Sequence, residues 1–309
     1  MNRKLMKLGD MMAILKIENL TKKFGDFYAL NGVNMELKAG EIYGFIGPNG
    51  AGKSTTIKSI LGLLKPTQGL IEVFGKDAMT EAVEVHKDIA FVPGDVNLWP
   101  NLTGGEIIDF FLHLHPNANH EKKKDLIKRF ELDITKKCSA YSTGNRQKVA
   151  LITAFSIDAS LYILDEPTSG LDPLMEDIFQ ECVRAVKRDN KSVLLSSHIL
   201  SEVEKLCDRV GIIRNGKVVE TGTLEEMRHL TRMQFIVESQ QKLENLSQVH
   251  GVHNIQQADS TYRFEVDANC VSDVIKYLGK YDVKKLESMP PTLEALFKRH
   301  YDKHSEEEE

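Results

Sequence analysis

The sequence predicts an α/β protein with a parallel sheet, an inserted helical lobe and a small C-terminal α+β domain of ferredoxin-like pattern. Three observations predict it. Short apolar stretches alternate with helical ones from Ile14 to about Ile213, as in parallel sheets buried on both faces. The alternation breaks between about Asp95 and Ile157, where strand formers are scarce. After Thr223 the order of elements becomes βαββαβ.

In order along the chain, Ile14–Ile17 and Val33–Leu37 read as strands beside polar turns. Glu41–Ile46 is an apolar strand running into a glycine-rich loop, and Lys53–Leu64 reads as a helix. Leu70–Phe74 and Ile89–Val92 are again strands, and Thr103–His115 and Glu121–Glu131 are helical. Apolar strands return at Leu161–Leu164, Ser192–Ser196 and Val210–Ile213. The C-terminal part gives strands at Met233–Val237, Val252–Ile255, Tyr262–Val266 and Val283–Leu286, with helices at Gln241–Leu246 and Cys270–Tyr281. Pro290 and Pro291 stop the chain, Thr292 opens a closing helix to Tyr301, and the acidic run Glu306–Glu309 is expected to fray.

A formal net charge of −5 argues against a nucleic-acid partner. No apolar run approaches the roughly 18 to 20 residues of a membrane-spanning helix, and Met1–Met12 lacks the apolar centre of a signal peptide. The cysteines Cys138, Cys182, Cys207 and Cys270 form no CxxC pair and have no histidine at ligand spacing. They read as reduced thiols of a cytosolic protein. His113, His115 and His120 read as surface residues, and Lys122–Lys124 as a solvated helix face.

Gly47-Pro48-Asn49-Gly50-Ala51-Gly52-Lys53-Ser54 fits G-x-x-x-x-G-K-[ST] between an apolar strand and a helix, the context that pattern requires. Glycines let the backbone curl until its N–H groups point inward. Those groups and the positive end of the helix bind phosphate. Lys53 is expected at the β- and γ-phosphates, Ser54 on Mg²⁺ and Thr55 at the α-phosphate. The bland alternative is a glycine-rich turn with a chance lysine, and both flanks count against it.

Leu161–Leu164 leads into two adjacent carboxylates, Asp165 and Glu166. Beside a phosphate loop, a carboxylate at a strand tip holds Mg²⁺, the role expected of Asp165. Glu166 is then free to orient or deprotonate the attacking water. Taken alone, with Pro167 and Thr168 following, the pair could equally open a helix.

Here the residues carry a family resemblance. Asp165-Glu166-Pro167-Thr168-Ser169-Gly170-Leu171-Asp172-Pro173 is very similar to the Walker B and D-loop stretch of ATP-binding-cassette (ABC) ATPases. His198, in Leu195-Ser196-Ser197-His198, looks like the switch histidine that touches the γ-phosphate. Tyr141-Ser142-Thr143-Gly144-Asn145 resembles the family signature, whose usual form is Leu-Ser-Gly-Gly-Gln. Phe24 sits where the family has an aromatic ring under adenine. The motifs occur in the family's order over about Ile14 to Gly222.

The resemblance implies a P-loop NTPase core of the ABC ATPase type at residues 13–225, with its helical subdomain at about 95–157. A lead-in at 1–12 precedes it, and an accessory domain and tail at 226–309 follow. ATP and Mg²⁺ are the implied cofactors. In the family the signature caps ATP on the opposite subunit, so Ser142, Gly144 and Asn145 are expected to contact a partner's nucleotide. A second copy or a sister cassette is therefore implied, together with a separately encoded integral membrane permease. The chain is then cytoplasmic and peripheral on the inner face of the membrane. Its tail, with Pro290-Pro291-Thr292-Leu293-Glu294, resembles the drug-, antibiotic- and lipid-exporting branch. Trp99, in the region that faces the permease in the family, is either a contact or a packed residue of the helical lobe.

Two departures stand out. Gly94 occupies the position where the family usually has Gln, leaving Asp95 as a candidate substitute Mg²⁺ ligand of different chemistry. The signature has Tyr141, Thr143 and Asn145 for Leu, Gly and Gln. These departures read as branch character, or as marks of a slow, nucleotide-gated regulator. A soluble non-transport ABC protein is the other alternative. A single phosphate loop and the lack of sustained heptads count against it.

Overall fold

The computed structural model describes residues 13–229 and 232–289. The lead-in at 1–12, the closing helix at Thr292–Tyr301 and the acidic run lie outside the described residues. The chain divides into two units, Met1–Thr221 and Gly222–Glu309.

In the first unit, Ala13–Phe24 (β1) and Phe27–Lys38 (β2) form a hairpin across Gly25 and Asp26. Ile42–Ile46 (β3) enters a second sheet and feeds the loop to Lys53–Ile60 (α1). Gln68–Val73 (β4) and Lys76–Asp77 (β5) return to the first sheet, ordered β2-β1-β4-β5 and antiparallel throughout. The expectation of parallel strands fails for this sheet. Leu15 and Ile17, and opposite them Met35 and Leu37, are buried while Lys16, Glu18, Asn34 and Glu36, which alternate with them, are exposed. That alternation belongs to a sheet with one face in water. The α1 helix ends four residues short of Leu64, because Gly62 turns left-handed at φ 64.

Ala82–His86 (α2) and Ile89–Val92 (β6) lead to the lobe helices Gly104–Leu114 (α3), His120–Arg129 (α4) and Thr143–Phe155 (α5). A capping box starts α3: Glu106 N donates to Thr103 Oγ at 3.2 Å and Thr103 N to Glu106 Oε2 at 2.7 Å, a device worth about 1 kcal/mol. Leu161–Asp165 (β7), Pro173–Arg188 (α6), Ser192–Ser197 (β8), Leu200–Leu206 (α7), Arg209–Arg214 (β9) and Lys217–Thr223 (β10) follow. The second sheet is ordered β10-β9-β3-β8-β7-β6, parallel from β9 to β6. Every residue of β3, β7 and β8 is buried, as strands covered on both faces must be. One core joins both sheets around α1, with Leu15, Leu30 and Leu37 in the same cluster as Phe45, Ile57 and Leu194.

The second unit holds Leu224–His229 (α8), Met233–Ser239 (β11), Val252–Ala258 (β12), Thr261–Val266 (β13), Val271–Leu278 (α9) and Val283–Met289 (β14). Its sheet is ordered β12-β13-β11-β14, and each neighbouring pair is antiparallel. Phe235, Val237, Tyr262, Phe264, Val274 and Leu278 form its core. The helix expected at Gln241–Leu246 does not form; a single 3₁₀ turn, Leu246–Gln248, takes its place. Gln241 N donates to Ser239 Oγ and Leu243 N to the Tyr262 hydroxyl. Asn245 is left-handed at φ 59, so the backbone is committed elsewhere.

Candidate nucleotide site

Three neighbouring parallel strands deliver the site. β3, β8 and β7 end at Ile46, Ser197 and Asp165 on one edge of the sheet, the carboxyl edge where α/β sheets bind ligands. The loop from Gly47 to Gly52 joins β3 to α1. Gly52 has φ 116, and a Cβ there would come 2.7 Å from Leu30 Cδ2. Only glycine fits a backbone so turned and so packed.

Lys53 is 5% exposed and held from three sides. It donates to Gly47 O at 2.5 Å and Pro48 O at 3.2 Å, and its Nζ lies 3.1 Å from Glu166 Oε1. The last contact is an ion pair without hydrogen-bond alignment, since Glu166 Oε1 accepts none. The other oxygen, Glu166 Oε2, lies 2.5 Å from His198 Nδ1. Glu166 itself has φ 47, a conformation that costs a residue with a side chain on the order of 1–3 kcal/mol. Its N–H donates to Ser196 O at 3.0 Å, which fixes the turn. Asp165 is buried, and its Oδ1 accepts from Ser196 Oγ. Asn49, Gly50, Lys53, Ser54, Thr55 and Glu166 line a hollow of about 180 Å³. Ala51 is buried beneath the loop, its N donating to Pro48 O at 3.2 Å.

The structure thus brings Lys53, Ser54, Thr55, Asp165, Glu166 and His198 to one edge of the sheet. Phe24, Ser142, Gly144 and Asn145 do not line the hollow. Phe24 ends β1, about half exposed, with Lys22 Nζ 5.0 Å from its ring centre. Ser142 Oγ caps α5 by accepting from Asn145 N at 3.3 Å. Gly144 packs against the Gly170 carbonyl, with no room for a Cβ. Asp95 is exposed and accepts from Asn97 Nδ2 at 2.9 Å. The backbone of Gly94 is what meets Asp165: a Cβ there would lie 3.4 Å from Asp165 Oδ2.

Three residues escaped the sequence. Ser196 binds Asp165 from the next strand, Gln147 Nε2 donates to Pro167 O at 2.9 Å, and Glu202 is buried behind Ser197. Only Ser196 carried a signal, as a polar residue in an apolar run before His198. On the lobe, Trp99 meets Phe110 edge-on at 5.5 Å and stacks on Phe111 at 6.1 Å. All three rings are exposed, beside a hollow of about 200 Å³ lined by Phe91, Val96, Leu98, Ile107, Phe111 and Val149.

A strand-to-helix phosphate loop, a lysine folded back over it and an Asp–Glu pair at the tip of a nearby parallel strand define a P-loop nucleotide hydrolase. The ABC transporter family model matches residues 30–169. The ABC transporter ATP-binding protein NatA of Bacillus subtilis (strain 168) is 38% identical over 64% of this chain and 83% of its own length. The bacitracin transport ATP-binding protein BcrA of Bacillus licheniformis is 32% identical over 87% of each chain. The dimeric ATP-binding cassette MJ0796, solved with ADP and Pi, superimposes with a TM-score of 0.62 at 27% identity, covering 68% of this chain and 98% of that one. The chain belongs to the ATP-binding proteins of the ABC transporter family. It is an ABC ATPase, binding ATP and hydrolysing it to energise transport, of a family whose cassettes dimerise and pair with membrane subunits. Among the described residues no helix is long and apolar enough to cross a membrane.

Proposed function

We propose that this chain powers an ABC exporter of the drug, antibiotic or lipid class. The observation that carries the reading is the reach of one similarity. The bacitracin transport relative aligns over 87% of the chain, more than the unit Met1–Thr221 contains, so the likeness extends into the C-terminal unit. Strand order and sense there support a ferredoxin-like accessory domain at 226–309, with one of its two helices replaced by the Leu246–Gln248 turn. The nucleotide-binding domain is residues 13–225, with its helical subdomain at about 95–157.

The chemistry follows from the residues at the sheet edge. The loop N–H groups and Lys53 bind phosphate, Thr55 adds an α-phosphate contact and the Phe24 ring stacks on adenine. Ser54 and Asp165 are hard oxygen donors suited to Mg²⁺, and among the described residues no denser ligand cluster competes for it. Bound there, the ion would neutralise charge on the β- and γ-phosphates. Glu166 orients the water and takes its proton, and His198 contacts the γ-phosphate. A γ-phosphate gives Lys53 a new anionic partner and frees Glu166 Oε1, 3.1 Å away, for the water. Ser142, Gly144 and Asn145 cap the nucleotide of a second copy. The Trp99–Phe110–Phe111 patch receives a separately encoded permease, which keeps the chain on the inner face of the membrane.

Gly94 against Asp165 favours a second reading, a slow nucleotide-gated regulator. A turnover rate unchanged by Glu166→Gln would support it. Capture of the tagged full-length chain from detergent-solubilised membranes tests the exporter reading: an integral membrane protein without its own phosphate loop co-purifies. Recovery with ribosomes or DNA instead overturns it.

A further inference from the structure

Glu202 lies on α7, four residues beyond His198, and is 6% exposed. Carboxylates are rarely so buried unless paired. Its Oε2 accepts from Ser197 Oγ at 2.8 Å, and Ser197 Oγ accepts from Ile199 N at 2.9 Å. Both bonds brace the turn that carries His198. Its Oε1 is buried with no hydrogen-bond partner. Thr168, two residues beyond Glu166, is buried as well. Next to it, Pro167 O is held by Gln147 of α5. Glu202 therefore sits behind Ser197, at the turn that carries His198.

We propose that Glu202 is a positioning residue of the hydrolytic site: its buried carboxyl, through the Ser197 hydroxyl, holds the Ser197–Ile199 turn that bears His198. The inference rests on the assignment of Glu166 and His198 to hydrolysis. The Ser197 hydroxyl donates to the carboxyl, so the bond needs only an acceptor oxygen on the side chain, which a glutamine amide also supplies. Burial pushes Glu202 up to about 7, against the pull of the Ser197 and Thr168 hydroxyls, and Glu176 and Glu166 add to the rise. The ionisable groups facing it are Glu166 after β7, Glu176 on α6 and Cys207 after α7, whose own thiol is raised by burial and by Glu202. None is a cation.

The test is Mg-ATP hydrolysis by the full-length chain from about pH 6 to about pH 9, in wild type, Glu202→Gln and Glu202→Ala, with melting temperatures alongside. Glu202→Gln, of the same shape and with an acceptor oxygen for Ser197, should hold wild-type kcat and KM throughout. Glu202→Ala should lower kcat by roughly tenfold at every pH with KM unchanged. Because the folded pKa is raised, the group's contribution to stability is intact below the ordinary glutamate value of about 4.3. That contribution is lost as pH rises toward about 7. The melting temperature of Glu202→Gln relative to wild type should therefore climb across that window and then level off. A Glu202→Gln variant that loses kcat as Glu202→Ala does overturns the proposal, as does a Glu202→Ala variant with wild-type kcat. A flat melting difference overturns the neutral carboxyl. Full activity in Glu166→Gln would instead sink the assignment on which the inference rests.

Discussion

Glu166 Oε2 lies 2.5 Å from His198 Nδ1 across two neighbouring parallel strands. The carboxylate at the end of β7 and the imidazole beyond β8 thus form one hydrogen-bonded unit, and units of this kind do not contribute additively to rate. Glu166→Gln and His198→Ala should each lower kcat by about 10² to 10⁴. The double variant should lose little more than the worse single one. Steady-state rates for the four proteins give the answer, and multiplying losses would show the two residues acting separately.

Glu166→Gln should also trap the closed pair of cassettes. Light scattering should show Mg-ATP converting this variant from monomer to dimer. A variant that binds ATP and stays monomeric would argue for a sister cassette in place of a second copy.

Gly52→Ala puts a Cβ 2.7 Å from Leu30 Cδ2 and 3.0 Å from Ala29 O, at a φ of 116. The loop must shift, and its N–H groups with it. Affinity for a fluorescent ATP analogue should fall at least about tenfold, the equivalent of about 1.4 kcal/mol. Retained affinity would mean that the loop tolerates the displacement.

The thiols should be slow. Burial pushes Cys182 up to about 11, raises Cys207 well above its ordinary value and raises Cys138 as well. At about pH 8 these three stay protonated, and the protonated thiol is a poor nucleophile. A chromogenic disulfide reagent should label them only upon unfolding. Rapid labelling of Cys182 in the native chain would contradict its burial.

Trp99→Ala should weaken capture of the membrane subunit while leaving basal hydrolysis and melting temperature near wild type. The ring is about half exposed and, among the described aromatic rings, packs only on Phe110 and Phe111, so its loss removes surface more than core. Undiminished capture would move the docking surface elsewhere.

What the sequence disclosed was local. The phosphate loop is eight consecutive residues between a strand and a helix, and the Asp165–Glu166 pair ends an apolar run. Spacing alone suffices for features of that kind. What it hid depends on distant chain segments meeting. The Ser196–Asp165 bond spans 31 residues, and Glu202 reads as one more acid on a helix until its burial and the Ser197 hydroxyl that donates to it are seen. The antiparallel first sheet was missed because only fragments of its two long strands are apolar enough to notice. The Gln241–Leu246 segment has helical composition, yet the Tyr262 hydroxyl from a later strand captures one of its amides. Tertiary contacts there outweigh propensity.

The contact between Gly144 and the Gly170 carbonyl has a bearing on assembly. The start of α5 and the turn after Glu166 meet backbone to backbone at these two glycines, with the Thr143 side chain packed beside the contact. Such a joint has few internal degrees of freedom to surrender. A second cassette docking on this edge would therefore meet two chain segments already locked in register, and the ordering entropy that usually opposes association would have been spent when the monomer folded.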